Sequence, residues 1–179
     1  MFSKLAAWAL VLVALTAIVP DLSAAPGGDA KRHSVLDYFY LLPNVDLDNA
    51  STKERSSSLK YPGAVVDVAH DYIRANLDSS PPQQVAVFRY RGTELVAVSI
   101  PDYGGDYKLF QLFRLRNGKL VDVTKKELPV PARLNNYLYE LPRYGTTIRV
   151  FKFDLDKQTH HRAFDLAWSG GKFHKVAAR

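Results

Sequence analysis

The sequence predicts an α+β fold, mainly antiparallel β, in which a hairpin meander forms a sheet or half-open barrel and carries two N-terminal helices. Three observations lead there. Phe88–Val98 (FRYRGTELVAV) and Phe113–Val123 (FRLRNGKLVDV) align without gaps and share six of eleven positions. Leu166–Val176 (LAWSGGKFHKV) is a looser copy that keeps alternating large apolar residues, Gly-Lys in the turn and a final valine. Helix signals are confined to the residues before Asp78. Each copy reads as strand, tight turn, strand, and Asn117-Gly118 is the strongest short hairpin signal because both central residues of such a turn need positive φ. The copies start 25 and then 53 residues apart, which is too uneven for a propeller array.

Residues 1–24 read as an export signal. Lys4 is followed by an uncharged run, Leu5 to Val19, then by Pro20 and by small residues at Ser23-Ala24-Ala25. The run has 15 residues, short of the ~20 that cross a bilayer as a helix. Cleavage fits after Ala24 or after Ala25, and the mature chain is expected to have no transmembrane span. Residues 25–33 are small and polar and read as a flexible new N-terminus. Residues 34–179 then form a single β-rich domain. Within it, Ser34-Val35-Leu36-Asp37 has the form of a capping box, opening a helix that Pro43 stops. Residues 44–60 are polar and Ser-rich and read as a loop. Residues 64–77 give the second helix, because Val65, Val68, Ala69, Tyr72, Ile73 and Leu77 follow a helical spacing between Pro62-Gly63 and Asp78-Ser79-Ser80-Pro81. From Val85 onward about seven strands are expected. In the strand from Thr147 to Phe153 the apolar phase slips between Val150 and Phe151, which predicts a bulge or a change of face.

Composition excludes several functions. The 179 residues contain no cysteine, so a disulfide scaffold, a zinc–thiolate centre, an iron–sulfur cluster and a thiol nucleophile are ruled out. Neither a Gly-x-Ser-x-Gly elbow, nor His-Glu-x-x-His, nor a phosphate-cradling glycine loop occurs. Net charge is +6, and the signal's Lys4 and Asp21 cancel, so the mature chain keeps it. A basic exported protein is drawn to an acidic polymer, a cell-envelope component or an acidic secreted protein. Nucleic acid is not expected, because the compartment, periplasmic or secreted, is the wrong one.

The candidate contact residues are Arg89, Arg91, Arg114, Arg116, Tyr139, Arg143 and Tyr144. Residues two apart on a strand share a face, so the hairpins are expected to lay Arg89, Arg91, Arg114 and Arg116 in one stripe able to hold carboxylates or phosphates. Tyr137–Gly145 concentrates Tyr and Arg, which dominate recognition hot spots, and Pro142 stiffens it. Tyr103-Gly104-Gly105-Asp106-Tyr107 is a second loop of that kind. Metal sites are not expected. Asn44, Asp46, Asp48 and Asn49 begin like a calcium loop, but the sixth and twelfth positions are Asn49 and Arg55 instead of Gly and Glu. Asp154, Asp156, His160 and His161 around a turn read as solvated surface. No cofactor is indicated.

Ser169-Gly170-Gly171-Lys172-Phe173 distantly resembles the Ser-Gly-x-x-Tyr loop of bacterial periplasmic lysozyme inhibitors, with Phe173 in place of the tyrosine. That resemblance implies an inhibitor acting through an exposed hairpin. The leading expectation is a non-catalytic exported binding module for an anionic or protein partner. Inhibition of a lysozyme-type enzyme is the alternative, and a hydrolase using Asp67 and His70 is a third.

Overall fold

The computed structural model describes residues 32–43, 52–75, 82–100, 110–130, 137–154 and 156–178. The export signal, the calcium-like loop start and the Tyr103–Tyr107 loop lie outside the described residues. Helix α1 (Val35–Leu41) opens with the capping box. Ser34 Oγ accepts from the Asp37 amide at 3.2 Å, and the Ser34 amide donates to Asp37 Oδ2 at 2.8 Å. Residues 52–58 form a helix where the sequence reads as loop, α2 (Thr52–Ser58). Its buried Arg55 donates to the carbonyl of Leu42 at 2.6 Å, satisfying the C-terminal end of α1. A tertiary contact, not an apolar stripe, therefore holds this polar segment helical.

Of the second helix expected over 64–77, the described residues 64–75 form no α-helix. In its place stand β1 (Val65–Asp67), a 3-10 turn (Val68–His70) and β2 (Tyr72–Ala75). Asp67 accepts from the His70 amide at 3.2 Å and closes the turn, and Asp71 takes φ 54°, which reverses the chain. Val66 then pairs with Ile73 and Asp67 with Tyr72. Tyr72 and Ile73 are both buried, on opposite faces of one strand. Burial on both faces erases the two-residue alternation, and the leftover spacing imitates a helix.

Eight more strands follow: β3 (Gln83–Tyr90), β4 (Thr93–Ser99), β5 (Phe110–Arg116), β6 (Lys119–Asp122), β7 (Tyr137–Glu140), β8 (Thr147–Asp154), β9 (Thr159–Ser169) and β10 (Lys172–Val176). A one-turn helix, α3 (Thr124–Glu127), follows β6. Pairing is antiparallel throughout, so the fold is mainly antiparallel β with few helices. Among the described residues the strands make neither one sheet nor a closed barrel. A six-stranded meander, β1 to β6, and a four-stranded meander, β7 to β10, are separate sheets. Phe88, Leu95 and Leu112 of the first share one core with Ile148, Leu166, Trp168 and Phe173 of the second. The far face of the first sheet presents Ile73, Val85, Val96, Val98 and Phe113, and α1 covers it with Val35, Tyr38 and Phe39. The result is three layers, and the middle sheet needs apolar residues on both sides.

The register of β8 against β9 shifts between Val150 and Phe151, at the position of the phase slip. Val150 faces Phe164 and Phe151 faces Arg162, which leaves Ala163 unpaired. Arg162 and Asp165 are three apart yet share a face for that reason, and they pair through two bonds of 2.9 and 2.6 Å. Among the described residues, no helix is long and apolar enough to cross a membrane.

Candidate functional site

Every odd strand of each meander runs toward one end of the sandwich, so its five reversals lie together. These are the 3-10 turn between β1 and β2, and the turns β3–β4, β5–β6, β7–β8 and β9–β10. Contacts between the sheets confirm the clustering. Trp168 Nε1 donates to the Arg89 carbonyl at 3.2 Å. A Cβ on Gly171 would meet the Tyr90 ring at 3.4 Å, so the β3–β4 and β9–β10 turns abut. Arg143 Nε donates to Asp67 Oδ2 at 2.9 Å and joins the β7–β8 turn to the 3-10 turn.

This end is cationic. Arg91, Arg116, Lys119, Arg143 and Lys172 are exposed on its turns. Arg116 stands directly across from Lys119, a like-charge pair that costs stability in a sheet. The carboxylates nearby are committed to internal partners. Asp67 holds Arg143 and His70, while Asp71 and Glu94 hold Arg89.

The expected stripe of four guanidinium groups does not exist. Val96 of β4 pairs with both Val87 and Phe113, so Arg89 falls on the α1 face and Arg114 on the face toward the second sheet. The two hairpins match in sequence but face opposite ways. Arg89 is a structural cation. It donates to Asp71 Oδ2 at 2.6 Å and Oδ1 at 2.8 Å, to the His33 carbonyl at 2.7 Å, and pairs with Glu94. Glu94 also accepts from the Tyr38 hydroxyl, so the network pins α1 to the sheet. Arg114 is likewise engaged, with Nε and Nη2 donating at 2.6 and 2.7 Å to the two carboxylate oxygens of Glu127. Arg91 and Arg116 do reach the surface, at adjacent turns.

Tyr139 is not a surface residue. It is 3% exposed and stacks on Phe110 with centroids 4.3 Å apart, and burial pushes its hydroxyl up to about 12. Tyr137–Glu140 is strand, not loop, and the alternation turns Tyr139 inward. Tyr144 is the opposite case, 64% exposed. Its ring lies edge-on to His70 at 4.8 Å, with the Arg143 guanidinium 5.2 Å from its centroid. Arg143, then His70, hold the Asp67 carboxyl below the usual carboxylate range. A carboxylate only accepts, so His70 carries its proton on Nδ1 and points that nitrogen at Asp67, 2.9 Å away. Arg143 and Tyr144, and Asp67 and His70, are separate candidates by sequence; the fold makes them one cluster.

A groove of about 610 Å³ flanks this end, between α3 with the residues after it and β10. Lys126, Lys172, His174 and Lys175 line it over Leu128 and Phe173. Its one carboxylate, Glu127, is held by Arg114. Sequence reasoning misses these lysines. The signal available was Lys125-Lys126 and the basic run Lys172 to Lys175. Phe173, the last position of the inhibitor-like loop, is 3% exposed and packs on Phe88 and Trp168, so that loop presents Gly170 and Lys172 rather than an aromatic ring. Asp154 Oδ1 accepts from the amides of Asp156 and Lys157, a local turn bond. Among the described residues, no three metal-ligating side chains cluster.

No family model, curated protein or solved structure matches this chain.

Proposed function

We propose that the chain is an exported, non-catalytic binding module, periplasmic or secreted, whose hairpin end docks an acidic polymer. The carrying observation is the gathering of Arg91, Arg116, Lys119 and Lys172 on adjacent turns while the nearby carboxylates are held in internal pairs, Asp67 by Arg143, Asp71 and Glu94 by Arg89, and Glu127 by Arg114. The turns set the backbone positions of these cations, and their shared sign steers an anion to this end. The Arg116–Lys119 pair is a local cost that a bound anion would relieve. Tyr144 adds a rigid aromatic contact, oriented by His70 and Arg143. Export rests on the N-terminal segment, and the +6 charge suits an anionic envelope.

The test is retention on immobilised polyglutamate. Arg91→Ser, Arg116→Ser, Lys119→Ser and Lys172→Ser together should abolish retention at low salt while the fold persists. At about 0.5 kcal/mol per exposed charge the four amount to roughly thirtyfold in affinity. Retention equal to wild type overturns the reading.

A further inference from the structure

The groove beside β10 has a second property besides its charge. It is lined by five consecutive residues, Gly171 to Lys175, so it runs along the strand rather than against one face of it. Among the described residues β10 pairs with β9 alone and forms the edge of its sheet. Which backbone groups point outward follows from the turn. Gly170 and Gly171 have φ 60° and 80°, so the reversal is a two-residue turn with both central residues left-handed, and its closing pair, Ser169 and Lys172, exchanges hydrogen bonds. The antiparallel ladder alternates from there. Lys172 and His174 direct their backbone groups to β9. Phe173 and Lys175 direct theirs to the groove.

We propose that this groove takes an extended acidic peptide of a partner protein as an added strand on β10. The proposal rests on the reading above that the cationic end binds an anionic partner, and it names the partner and the way it is held. The amides and carbonyls of Phe173 and Lys175 supply main-chain bonds, as at other strand-addition sites. Lys126, Lys172 and Lys175 pair with acidic side chains, and no groove carboxylate competes, because Glu127 is held by Arg114 at 2.6 Å. Leu128 and Phe173 give the floor on which apolar residues of the peptide rest. A second copy of the chain does not suit this edge. It would set its own Lys172 and Lys175 against these, and edge lysines oppose self-pairing for that reason. An acidic strand turns the same repulsion into attraction.

The probe is a short synthetic peptide of alternating glutamate and valine, with polyglutamate as the comparison. Binding should slow amide hydrogen exchange at Phe173 and Lys175 and leave Lys172 and His174, already bonded to β9, unchanged. Lys175→Ala removes the charge alone. Lys175→Pro removes the charge and the outward amide without touching the β9 ladder, and should bind about tenfold more weakly than the alanine variant. Peptide binding without protection at Phe173 and Lys175 overturns the proposal, as does a proline variant equal to the alanine one. Polyglutamate bound at the turns while the glutamate–valine peptide leaves those two amides unprotected overturns it and leaves the functional reading standing. Binding of neither probe removes both.

Discussion

Arg143 and Asp67 are 76 positions apart in the chain and meet at 2.9 Å, Nε to Oδ2. That ion pair crosses from the second sheet's β7–β8 turn to the first sheet's edge. It fixes where Tyr144 stands and occupies the carboxylate that would otherwise oppose an anion. The pair is neutral in itself, so the charge of the hairpin end comes from Arg91, Arg116, Lys119 and Lys172, and the bond's contribution is to place the aromatic contact.

The first expectation concerns acid. The folded state holds the Asp67 carboxyl below its unfolded value, so the pair's stabilisation is fully present above a carboxylate pKa of about 4 and is lost as pH falls from there through the depressed folded value. Thermal midpoints measured from pH 6 down to acid should fall less steeply for Asp67→Asn than for wild type. Parallel curves would show that the pair carries no linkage.

Arg89 and Arg91 are two residues apart and should behave oppositely. Arg89→Met leaves Asp71 and Glu94 without their shared cation, at a cost on the order of 3 kcal/mol. Arg91→Ser alters an exposed turn and should change stability by less than about 0.5 kcal/mol while weakening polyglutamate binding. Urea unfolding and a binding titration on both variants separate the roles.

Tyr139 has a buried hydroxyl with no hydrogen-bond partner among the described residues. Tyr139→Phe removes a desolvated group and keeps the stack on Phe110, so stability should hold or rise by up to about 1 kcal/mol. Its raised pKa, about 12, favours the neutral phenol in the folded state. Stability from this group is complete below an unfolded value of about 10 and is lost as pH rises from there toward the folded one. The phenylalanine variant should therefore resist alkaline unfolding better than wild type, as followed by circular dichroism from pH 9 to 12.

Glu127 separates stability from affinity. Glu127→Gln releases Arg114 and takes the carboxylate out of the groove. The part-buried pair is worth about 1–2 kcal/mol, which the variant should lose. Its affinity for acidic probes should rise. A variant that is less stable and also binds more weakly would count against a cationic groove.

Much of the architecture was legible, and the reasons differ by element. Ser34 and Asp37 announce α1 because a capping box is local chemistry. The hairpins around Gly92 and Asn117-Gly118 declare themselves because left-handed turn residues are restrictive, and the slip at Val150/Phe151 falls where the register shifts. Residues 64–77 misled because Tyr72 and Ile73 are buried on opposite faces of the middle layer, which removes the alternation that marks a strand. The arginine stripe failed for a related reason. Which way a hairpin faces depends on the β4–β5 register, not on the hairpin's own sequence. Arg91, Arg116, Arg143 and Tyr144 reach one end through the topology of two meanders, and Lys126 meets Lys175 only when the sheets pack.

The most direct test of the cationic end is an amide chemical-shift map of isotope-labelled protein titrated with polyglutamate at low salt. The account expects the largest changes at Arg91, Arg116, Lys119, Tyr144 and Lys172, fading together as salt is raised. Changes centred instead on the outward face of β8 and β9, around Arg149 and Arg162, or changes indifferent to salt, would contradict it.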